Sequence, residues 1–304
     1  MGVASPFPYQ GSKRQLADTI LRYFPTDVER VIEPFAGSAA VALAGAANGL
    51  ADKFWLNDID RSVMSLWEEI VNAPEALLSE YAKLWHAQKG QEREFYDVVR
   101  DRFNRSRSPS DFLYLLARCV KASVRYNSDG EFNQSPDNRR KGAHPKRLRR
   151  RIMEASRLLA GRVKLTSCDY TEVLAEALRG DLVYMDPPYQ GVSNGRDPRY
   201  RDTITFEAFL RALDSANERC ISYILSYDGR TGSKQFGRPM PEVLGLLHIQ
   251  IDAGRSSQAT LLGRDANTVE SLYLSPALVA RIHSDLEKRH QTASPEQLRL
   301  LDLT

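Results

Sequence analysis

The stretch between residues 28 and 71 constrains the fold most, because apolar strands and helices alternate there over short distances. Four elements are predicted in the order strand, helix, strand and helix: Val31-Ile32, Ala39 to about Asn48, Lys53–Leu56 and Ser62–Val71. The two strands end at Glu33-Pro34 and Asn57-Asp58, so polar loops follow the carboxyl ends of the strands. This arrangement is typical of an open α/β sheet.

The alternation stops after residue 71 and returns after residue 160. Residues from about 75 to 122 predict helices with a break at Ser106–Ser110, and Tyr126–His144 predicts a loop or hairpin. A basic helix is expected over Pro145–Ala160, with proline at its first position. Five later strands are expected: Val163–Thr166, Leu182–Met185, Ile221–Leu225, Leu246–Ile251 and Ser271–Leu274.

The simplest organisation is one α/β sheet interrupted by a mostly helical insertion. We predict a discontinuous domain of residues 1–66 and 161–285, an insertion of residues 67–160, and a charged tail of residues 286–304. A chain of 304 residues exceeds the roughly 100–200 residues of a typical domain, which agrees with this division.

Composition narrows the class of protein. The three cysteines, Cys119, Cys168 and Cys220, are far apart and suggest neither a disulfide framework nor a zinc site. The sequence shows no charged N-terminal region followed by an apolar run, and its apolar stretches are much shorter than a membrane span. We therefore expect a cytoplasmic protein without a metal ion.

Positive charge is concentrated in one segment, although the net charge is only +3. From Arg139 to Arg151 there are eight lysines or arginines and no acid, and Arg139 and Arg140 begin the run. Such a concentration is what a phosphate-binding surface requires. The other interpretation is a solvated helix face, which repulsion between like charges on one helix disfavours.

The sharpest chemical signal is Asp186-Pro187-Pro188-Tyr189, directly after the predicted strand Leu182–Met185. The exocyclic amine of a base is a poor nucleophile because its lone pair is delocalised into the ring. The Asp186 carboxylate and the next carbonyl can accept hydrogen bonds from it and stabilise positive charge as a methyl group arrives. The prolines Pro187 and Pro188 fix that carbonyl, and the Tyr189 ring can stack on a base. A turn that ends a strand is the alternative interpretation.

The turn Glu33–Ala39 is the second signal. Its small residues allow a cofactor to approach the backbone closely. It lacks the later glycines of the dinucleotide-binding Gly-x-Gly-x-x-Gly pattern, which argues against a bound pyrophosphate. A tight turn that leads into a helix of small residues is an equally good interpretation.

Carboxylates follow two further strands. Asp58 could accept hydrogen bonds from ribose hydroxyls, and Asp60 is close enough to compete for that role. Either one could instead cap the helix that follows. Asp169 ends the next strand and could accept from an adenine amino group, or it too could be a cap.

Several segments, taken together and in order, resemble the Dam-like DNA adenine-N6 methyltransferases (D12 class, alpha-type). They are Phe7–Lys13, Glu33–Ser38, Asn57-Asp58 and Asp186–Tyr189, with Arg125-Tyr126-Asn127 and Gly130-Glu131-Phe132-Asn133 in the insertion. The resemblance extends from Phe7 to about Leu274. The set is highly specific, although each piece alone is not.

The resemblance implies a Rossmann-like sheet and the transfer of a methyl group from S-adenosylmethionine to N6 of a flipped adenine in duplex DNA. The residues that it implies for the cofactor are Tyr9, Lys13, Glu33, Phe35, Gly37, Asp58 and Asp186. It implies that Tyr126 and Asn127 enter the duplex, and Arg139 and Arg140 could reach guanine edges or only phosphates. A cognate restriction endonuclease is a further candidate partner.

Three other features bear on the resemblance. Ala39 stands where the family usually has a second glycine, and alanine carries strain there if its φ is positive. Gln190–Thr203 is expected to be a mobile loop that closes over DNA. Gly254–Ser257 resembles a late Arg-Ser element of the family and is expected near the DNA backbone.

Three alternatives to this activity are distinguished by the same motif. Cytosine-N4 enzymes usually have serine at the first position, which Asp186 disfavours. Similar enzymes that act on adenine in RNA often end the motif in phenylalanine, which Tyr189 disfavours. A non-catalytic DNA-binding regulator on the same scaffold would not need an intact motif.

Overall fold

One sheet of eight strands forms the centre of the computed structural model, which describes residues 3–188, 204–231, 234–255 and 267–292. In chain order the strands are β1 (Arg30–Glu33), β2 (Lys53–Asn57), β3 (Val163–Thr166), β4 (Asp181–Met185), β5 (Ser222–Thr231), β6 (Lys234–Phe236), β7 (Leu247–Arg255) and β8 (Asn267–Leu274). Their order across the sheet is β3-β2-β1-β4-β5-β8-β7, and β6 pairs with β5 outside this path. Strands β1 to β5 are parallel, whereas β8 is antiparallel to β5 and β7. This is the Rossmann-like α/β class that the sequence predicts.

The parallel strands are apolar because both faces of the sheet are covered. All five residues of β4 are buried. Val31 and Ile32 of β1 are both fully buried, and they belong to two different clusters of core residues. Since neighbouring side chains of a strand point to opposite faces, the two clusters lie on the two sides of the sheet.

Ten α-helices lie in the described residues. They are α1 (Ala17–Ile20), α2 (Ala40–Ala47), α3 (Arg61–Asn72), α4 (Pro74–Ala87), α5 (Glu92–Ser106), α6 (Pro109–Arg118), α7 (Pro145–Leu159), α8 (Tyr170–Ala175), α9 (Phe206–Glu218) and α10 (Pro276–Thr292). Short 3-10 segments lie at Lys13–Gln15, Leu21–Tyr23, Val120–Ala122 and Glu242–Leu244. None of the described helices is long and apolar enough to cross a membrane.

The helices α4, α5 and α6 pack against one another around aromatic side chains. The rings of Phe103 and Phe112 stack at 5.2 Å, and Phe132 from the following loop meets the Phe103 ring edge-on at 5.9 Å. The basic helix α7 then packs back on α2 and α3 through a buried face that includes Leu148, and so joins these helices to the sheet.

Most predicted elements are found, with shifted ends. Strand β3 has the predicted bounds, and the helical region from about 75 to 122 resolves into three α-helices broken near Ser106–Ser110. The predicted helix from Ala39 begins one residue later, and β5 continues to Thr231 instead of ending at Leu225. The predicted loop Gln190–Thr203, Tyr189, and the Ser256-Ser257 end of the late element lie outside the described residues. The domain boundaries stay a prediction.

Candidate active site

The strand order reverses between β1 and β4, where ligands of open α/β sheets bind beyond the carboxyl ends of the strands. Glu33 ends β1, Asp58 follows β2, Asp169 follows β3 and Asp186 follows β4. The topology therefore gathers the carboxylates that the sequence analysis selects along one edge of the sheet.

Asp186 is paired with a buried lysine. Nζ of Lys13, in the 3-10 segment Lys13–Gln15, lies 3.0 Å from Oδ1 of Asp186 and 3.3 Å from Oε2 of Glu270 on β8. The Lys13 side chain is only 8% exposed, and the two acids are 21% and 19% exposed. The Lys13 ammonium thus forms ion pairs with two carboxylates at a site with little contact with solvent.

Burial raises the pKa of Asp186 to about 6, Lys13 opposes the rise, and the charge of Glu270 adds to it. A carboxylate disfavours its charged form when it leaves water, and a nearby cation restores it. Asp186 is therefore ionised at neutral pH and can accept hydrogen bonds.

Glu33 is the most deeply buried acid at this edge, with 3% exposure. Its Oε1 accepts a hydrogen bond from the backbone N–H of Ala42 at 2.5 Å, in the first turn of α2. Burial raises the pKa of Glu33 to about 8, and the nearby charge of Asp186 adds to the rise. Glu33 is therefore mostly protonated at neutral pH and holds the end of β1 against α2.

Gly37 lies in a turn that is fixed from three sides. Its N–H donates to Oδ2 of Asp58 at 3.0 Å, and its carbonyl accepts from the indole of Trp67 at 2.8 Å. A Cβ at Gly37 would lie 2.8 Å from a ring carbon of Tyr9. Only glycine allows the Tyr9 ring to pack this closely on the turn.

Ala39 has a φ of 47° and a ψ of 46°, the left-handed conformation that alanine rarely adopts. This conformation costs a non-glycine residue about 1–2 kcal/mol. The departure from the family pattern therefore carries strain, which the buried turn and α2 hold in place.

The structure assigns different tasks to Asp58 and Asp60. Oδ1 of Asp58 accepts from the N–H of Asp60 at 3.0 Å, so Asp58 joins two turns rather than capping α3. Asp60 is the cap, since it accepts from the N–H of Ser62 at 2.9 Å. The hydroxyl of Tyr126 also lies 3.0 Å from Oδ2 of Asp60, which links the insertion to the sheet edge.

A small groove lies beyond β1, β2 and β3. It is lined by apolar side chains and one carboxylate: Pro34, Phe35, Ile59, Cys168, Asp169, Tyr170 and Ile204. The Phe35 ring packs on Tyr170 at 5.3 Å between ring centres. Asp169 caps α8 by accepting from the N–H of Thr171 at 2.9 Å. With a volume of about 10 Å³ the groove has room for about one water molecule, so a flat ring would enter only after its apolar walls moved apart.

Asn57 holds the loops of this groove together, a role that the sequence analysis does not assign. Its Nδ2 donates to the carbonyls of Pro34 and Cys168, both at 3.0 Å. Its Oδ1 accepts from the Thr166 hydroxyl at 2.8 Å and from the Cys168 N–H at 3.0 Å. An amide can serve both sides in this way because it is a donor and an acceptor.

Of the four insertion residues expected at DNA, which all lie in the described part of the chain, Tyr126 contacts the sheet edge through Asp60. Asn127 organises its own hairpin, since its Oδ1 accepts from the N–H groups of Asp129 and Glu131. Arg139 and Arg140 are exposed, and both lie within 3.3 Å of the Asp137 carboxylate. The local acid neutralises part of the charge at the start of the basic run.

The basic run continues on α7 with arginines that are close to one another. Arg149 is paired with Glu75 of α4. Burial lowers the pKa of Arg151, and three nearby cations lower it further: Arg14, Arg147 and Arg150. Arg14 directly follows Lys13, so this cluster adjoins the segment that carries the lysine paired with Asp186. We call Arg14, Arg147, Arg150 and Arg151 the α7 cluster.

Pro187 is buried and Pro188 is partly buried directly after Asp186, and Tyr189 lies outside the described residues. Among the residues that the structure describes, no group of three or more histidines, cysteines and acids could hold a metal ion.

Comparison with known proteins places these features in a family. The model of the family described as D12 class N6 adenine-specific DNA methyltransferase matches residues 9–290. The Retron Ec67 DNA adenine methylase of Escherichia coli is 30% identical to this chain, over 62% of this chain and 64% of that protein. The DNA N-6-adenine-methyltransferase of Escherichia phage P1 is 29% identical, over 62% of this chain and 24% of that protein.

The match covers less than two thirds of the length of each of these two relatives. It covers more of another relative. The DNA adenine methylase of Vibrio cholerae is 28% identical to this chain, over 76% of this chain and 83% of that protein. The family match runs through the sheet and the insertion, and includes Tyr9, Lys13, Asp186 and Glu270.

Proposed function

This chain belongs to the D12 class of N6 adenine-specific DNA methyltransferases, and from that premise we propose that it methylates N6 of an adenine turned out of duplex DNA. The observation that carries this proposal is the position of Asp186 at the strand-order reversal, with its Oδ1 3.0 Å from Nζ of the buried Lys13. Turning the base out is required because an amine inside a stacked duplex cannot reach a carboxylate in a cleft.

S-adenosylmethionine is the proposed methyl donor, and when bound it supplies an electrophilic methyl group on a sulfonium. Three features of the sheet edge support this donor. The apolar walls beside Phe35 and the Asp169 carboxylate would hold its adenine ring once the groove opens, since its volume is only about 10 Å³ here. Asp58 stands after β2, where an acid can accept from ribose hydroxyls. Gly37 gives the Tyr9 ring room to pack on the turn, and Tyr9 is proposed to pack on the cofactor from there.

Asp186 and the Pro187 carbonyl are the proposed acceptors for the N6 amine. Hydrogen bonds to both acceptors turn the nitrogen lone pair away from the ring and stabilise positive charge as the N–C bond forms and the bond between the methyl group and sulfur breaks. The methylated amine then loses one of its protons and becomes neutral. Asp186 acts in its ionised form, since a protonated carboxyl would offer a donor to the amine. Tyr189 is proposed to stack on the base.

DNA binding is proposed to use two parts of the insertion. Tyr126 and Asn127 form the hairpin beside Asp60, in reach of a base that leaves the duplex. The α7 cluster joins exposed arginines of α7 to Arg14 beside the active-site lysine, and Arg139 and Arg140 extend the basic surface. Duplex DNA is thus the proposed partner and the cytoplasm the proposed location, while a cognate endonuclease stays a prediction from sequence.

The test is transfer of a labelled methyl group from S-adenosylmethionine to defined nucleic acids, followed by digestion and separation of nucleosides. We expect label in N6-methyladenine from duplex DNA. Label in N4-methylcytosine, or in RNA alone, would replace this proposal by one of the alternative methylations. Binding of duplex DNA and cofactor without any transfer would show a regulator instead.

A further inference from the structure

We propose that Glu270 is a positioning residue for methyl transfer, which anchors Lys13 and through it sets the ionisation and orientation of Asp186. Nothing in the sequence motifs selects Glu270, because it lies 84 positions after Asp186 in a stretch without a recognisable pattern. The inference rests on the proposed function, since it concerns the acceptor for the amine.

The sheet order explains how Glu270 reaches the site. Strand β5 lies between β4 and β8, and Glu270 of β8 is paired with Gly229 beyond an irregularity in β5 between Ser226 and Gly229. A Cβ at Gly229 would lie 2.7 Å from the Val269 carbonyl oxygen, so the two backbones approach closely there. Bulges re-aim side chains next to active sites, and here the carboxylate points to Lys13.

The contacts of Glu270 fix it on the far side of the ammonium. Its Oε2 lies 3.3 Å from Lys13 Nζ, and the Ser226 hydroxyl lies 3.5 Å from the same oxygen. Lys13 in turn approaches Oδ1 of Asp186. A lysine side chain is flexible and carries a compact charge. Ion pairs with both Asp186 and Glu270 therefore restrict the position of the Lys13 ammonium more than one ion pair would. The Oδ2 oxygen of Asp186 is then the one proposed to face the N6 amine.

The effect of Glu270 on Asp186 can be measured through the pKa of Asp186, which depends on the charges around it. The groups that face Asp186 are Lys13, Glu270 and Glu33, and burial raises the pKa of Glu33 to about 8. Below that pH the remaining cluster is one cation between two carboxylates. The negative charge of Glu270 raises the pKa of Asp186. Removing that charge while Lys13 stays in place should therefore lower the pKa of Asp186.

The decisive variant is Glu270→Gln, whose amide oxygen can still accept from Lys13. We expect the acid limb of its kcat–pH profile to move to lower pH by about half a unit or more. Glu270→Ala removes the anchor as well, and we expect kcat at pH 8 to fall about 10- to 100-fold, as for a misplaced catalytic group. A merely structural role would lower stability or kcat without moving the limb.

A second readout does not need activity. The ammonium resonance of Lys13, labelled with ¹⁵N and assigned by its loss in Lys13→Arg, should titrate with the ionisation of Asp186, and its midpoint should fall in Glu270→Gln. Glu176→Gln is the matched control, because it removes the exposed acid partner of Lys164 at 2.9 Å near the other end of the sheet. It should leave both readouts at wild-type values.

The outcomes separate the two proposals. If wild-type protein transfers no methyl group but the Lys13 midpoint falls in Glu270→Gln, the proposed function is wrong and the anchoring of Lys13 stands. If wild-type protein is active while neither the acid limb nor the Lys13 midpoint moves, Glu270 is not a positioning residue.

Discussion

The carboxyl edge of the sheet and the insertion use charged side chains in opposite ways. At the edge, Lys13 and Asp58 are less than 10% exposed and their partners lie on neighbouring strands or turns. In the insertion, Arg139 and Arg140 are 86% and 52% exposed and pair with one local acid. Buried charges have few alternative partners, whereas exposed ions exchange freely with water and salt. Single substitutions at the edge should therefore have large effects on activity or stability, whereas substitutions of exposed charges in the insertion should have smaller ones.

The largest effect is expected from Asp186→Ala at the edge. Loss of the acceptor should reduce methyl transfer by at least about 10²- to 10³-fold, the usual effect of removing one electrostatic stabiliser of a transition state. Lys13 keeps Glu270 as a partner at 3.3 Å, so the protein should remain folded. Labelled-methyl transfer and thermal unfolding measure the two effects. Turnover close to wild type would remove Asp186 from its assigned role.

Glu33→Gln should change how stability depends on pH. Burial raises the pKa of Glu33 to about 8, above its usual value, so the folded state holds a proton that the unfolded state loses first. Its contribution is fully present at low pH and is lost as pH rises through about 8. The wild type should lose on the order of 1–3 kcal/mol between pH 5 and 9 from this group, and the variant should not. Denaturant unfolding of both proteins at both pH values tests this. An equal change in the free energy of unfolding for wild type and variant would contradict it.

Tyr126→Phe tests the link between the two regions. It keeps the ring that packs edge-on against Phe132 at 6.1 Å and removes only the hydroxyl near Asp60. A hydrogen bond to a charged group contributes about 1.5–3 kcal/mol, and partial exposure reduces that toward about 1 kcal/mol here. Amide exchange should accelerate in the hairpin at Gly130 and Glu131. Unchanged exchange there would mean that the hairpin does not depend on Asp60.

Two double variants rank the exposed charges of the basic run. Arg147→Ala with Arg150→Ala removes cations of the α7 cluster, and we expect the slope of log binding constant against log salt to fall by up to about 1.8. Arg139→Ala with Arg140→Ala should lower it less, because Asp137 already neutralises part of that charge. Titrations of duplex DNA at several salt concentrations compare the two. A larger fall for the Arg139 and Arg140 pair would place the phosphate contacts on the loop instead.

The smallest effect concerns Ala39, at the edge. Ala39→Gly relieves the left-handed φ of 47° but loosens the unfolded chain, so a net gain of about 0.5–1 kcal/mol is expected. Unfolding free energies measure it directly. A loss of stability would show that the Ala39 side chain, which is fully buried, contributes more by packing than its backbone loses by strain.

The sequence predicted which residues lie at the carboxyl edge of the sheet, because those residues closely follow predicted strands. The bounds of β3 and the positions of Asp58 and Asp186 depend only on local pattern and on the rule that parallel strands end at one edge. Glu270 was missed because it reaches Lys13 only through the antiparallel order of β5 and β8, which no spacing reveals.

The ion pairs of the insertion were harder to predict, because they also join residues that are distant in sequence. Thirteen residues without an acid predicted a phosphate-binding surface, but local pattern could not show that Arg149 pairs with Glu75 and Lys141 with Glu92, both distant in sequence. Likewise, the left-handed Ala39 is set by the buried turn around it and not by its own preference. Long-range contacts decide both cases.

The bond between Tyr126 and Asp60 limits how freely recognition modules could be exchanged between related enzymes. A second link to the N-terminal segment, from the N–H of Gln10 to the carbonyl of Ala122 at 3.0 Å, involves only backbone, and a borrowed sequence would have to reproduce the left-handed φ of 50° at Ala122. The Tyr126 link needs a hydroxyl at one place. A transplanted insertion without that hydroxyl would lose the attachment of its hairpin beside the cap of α3.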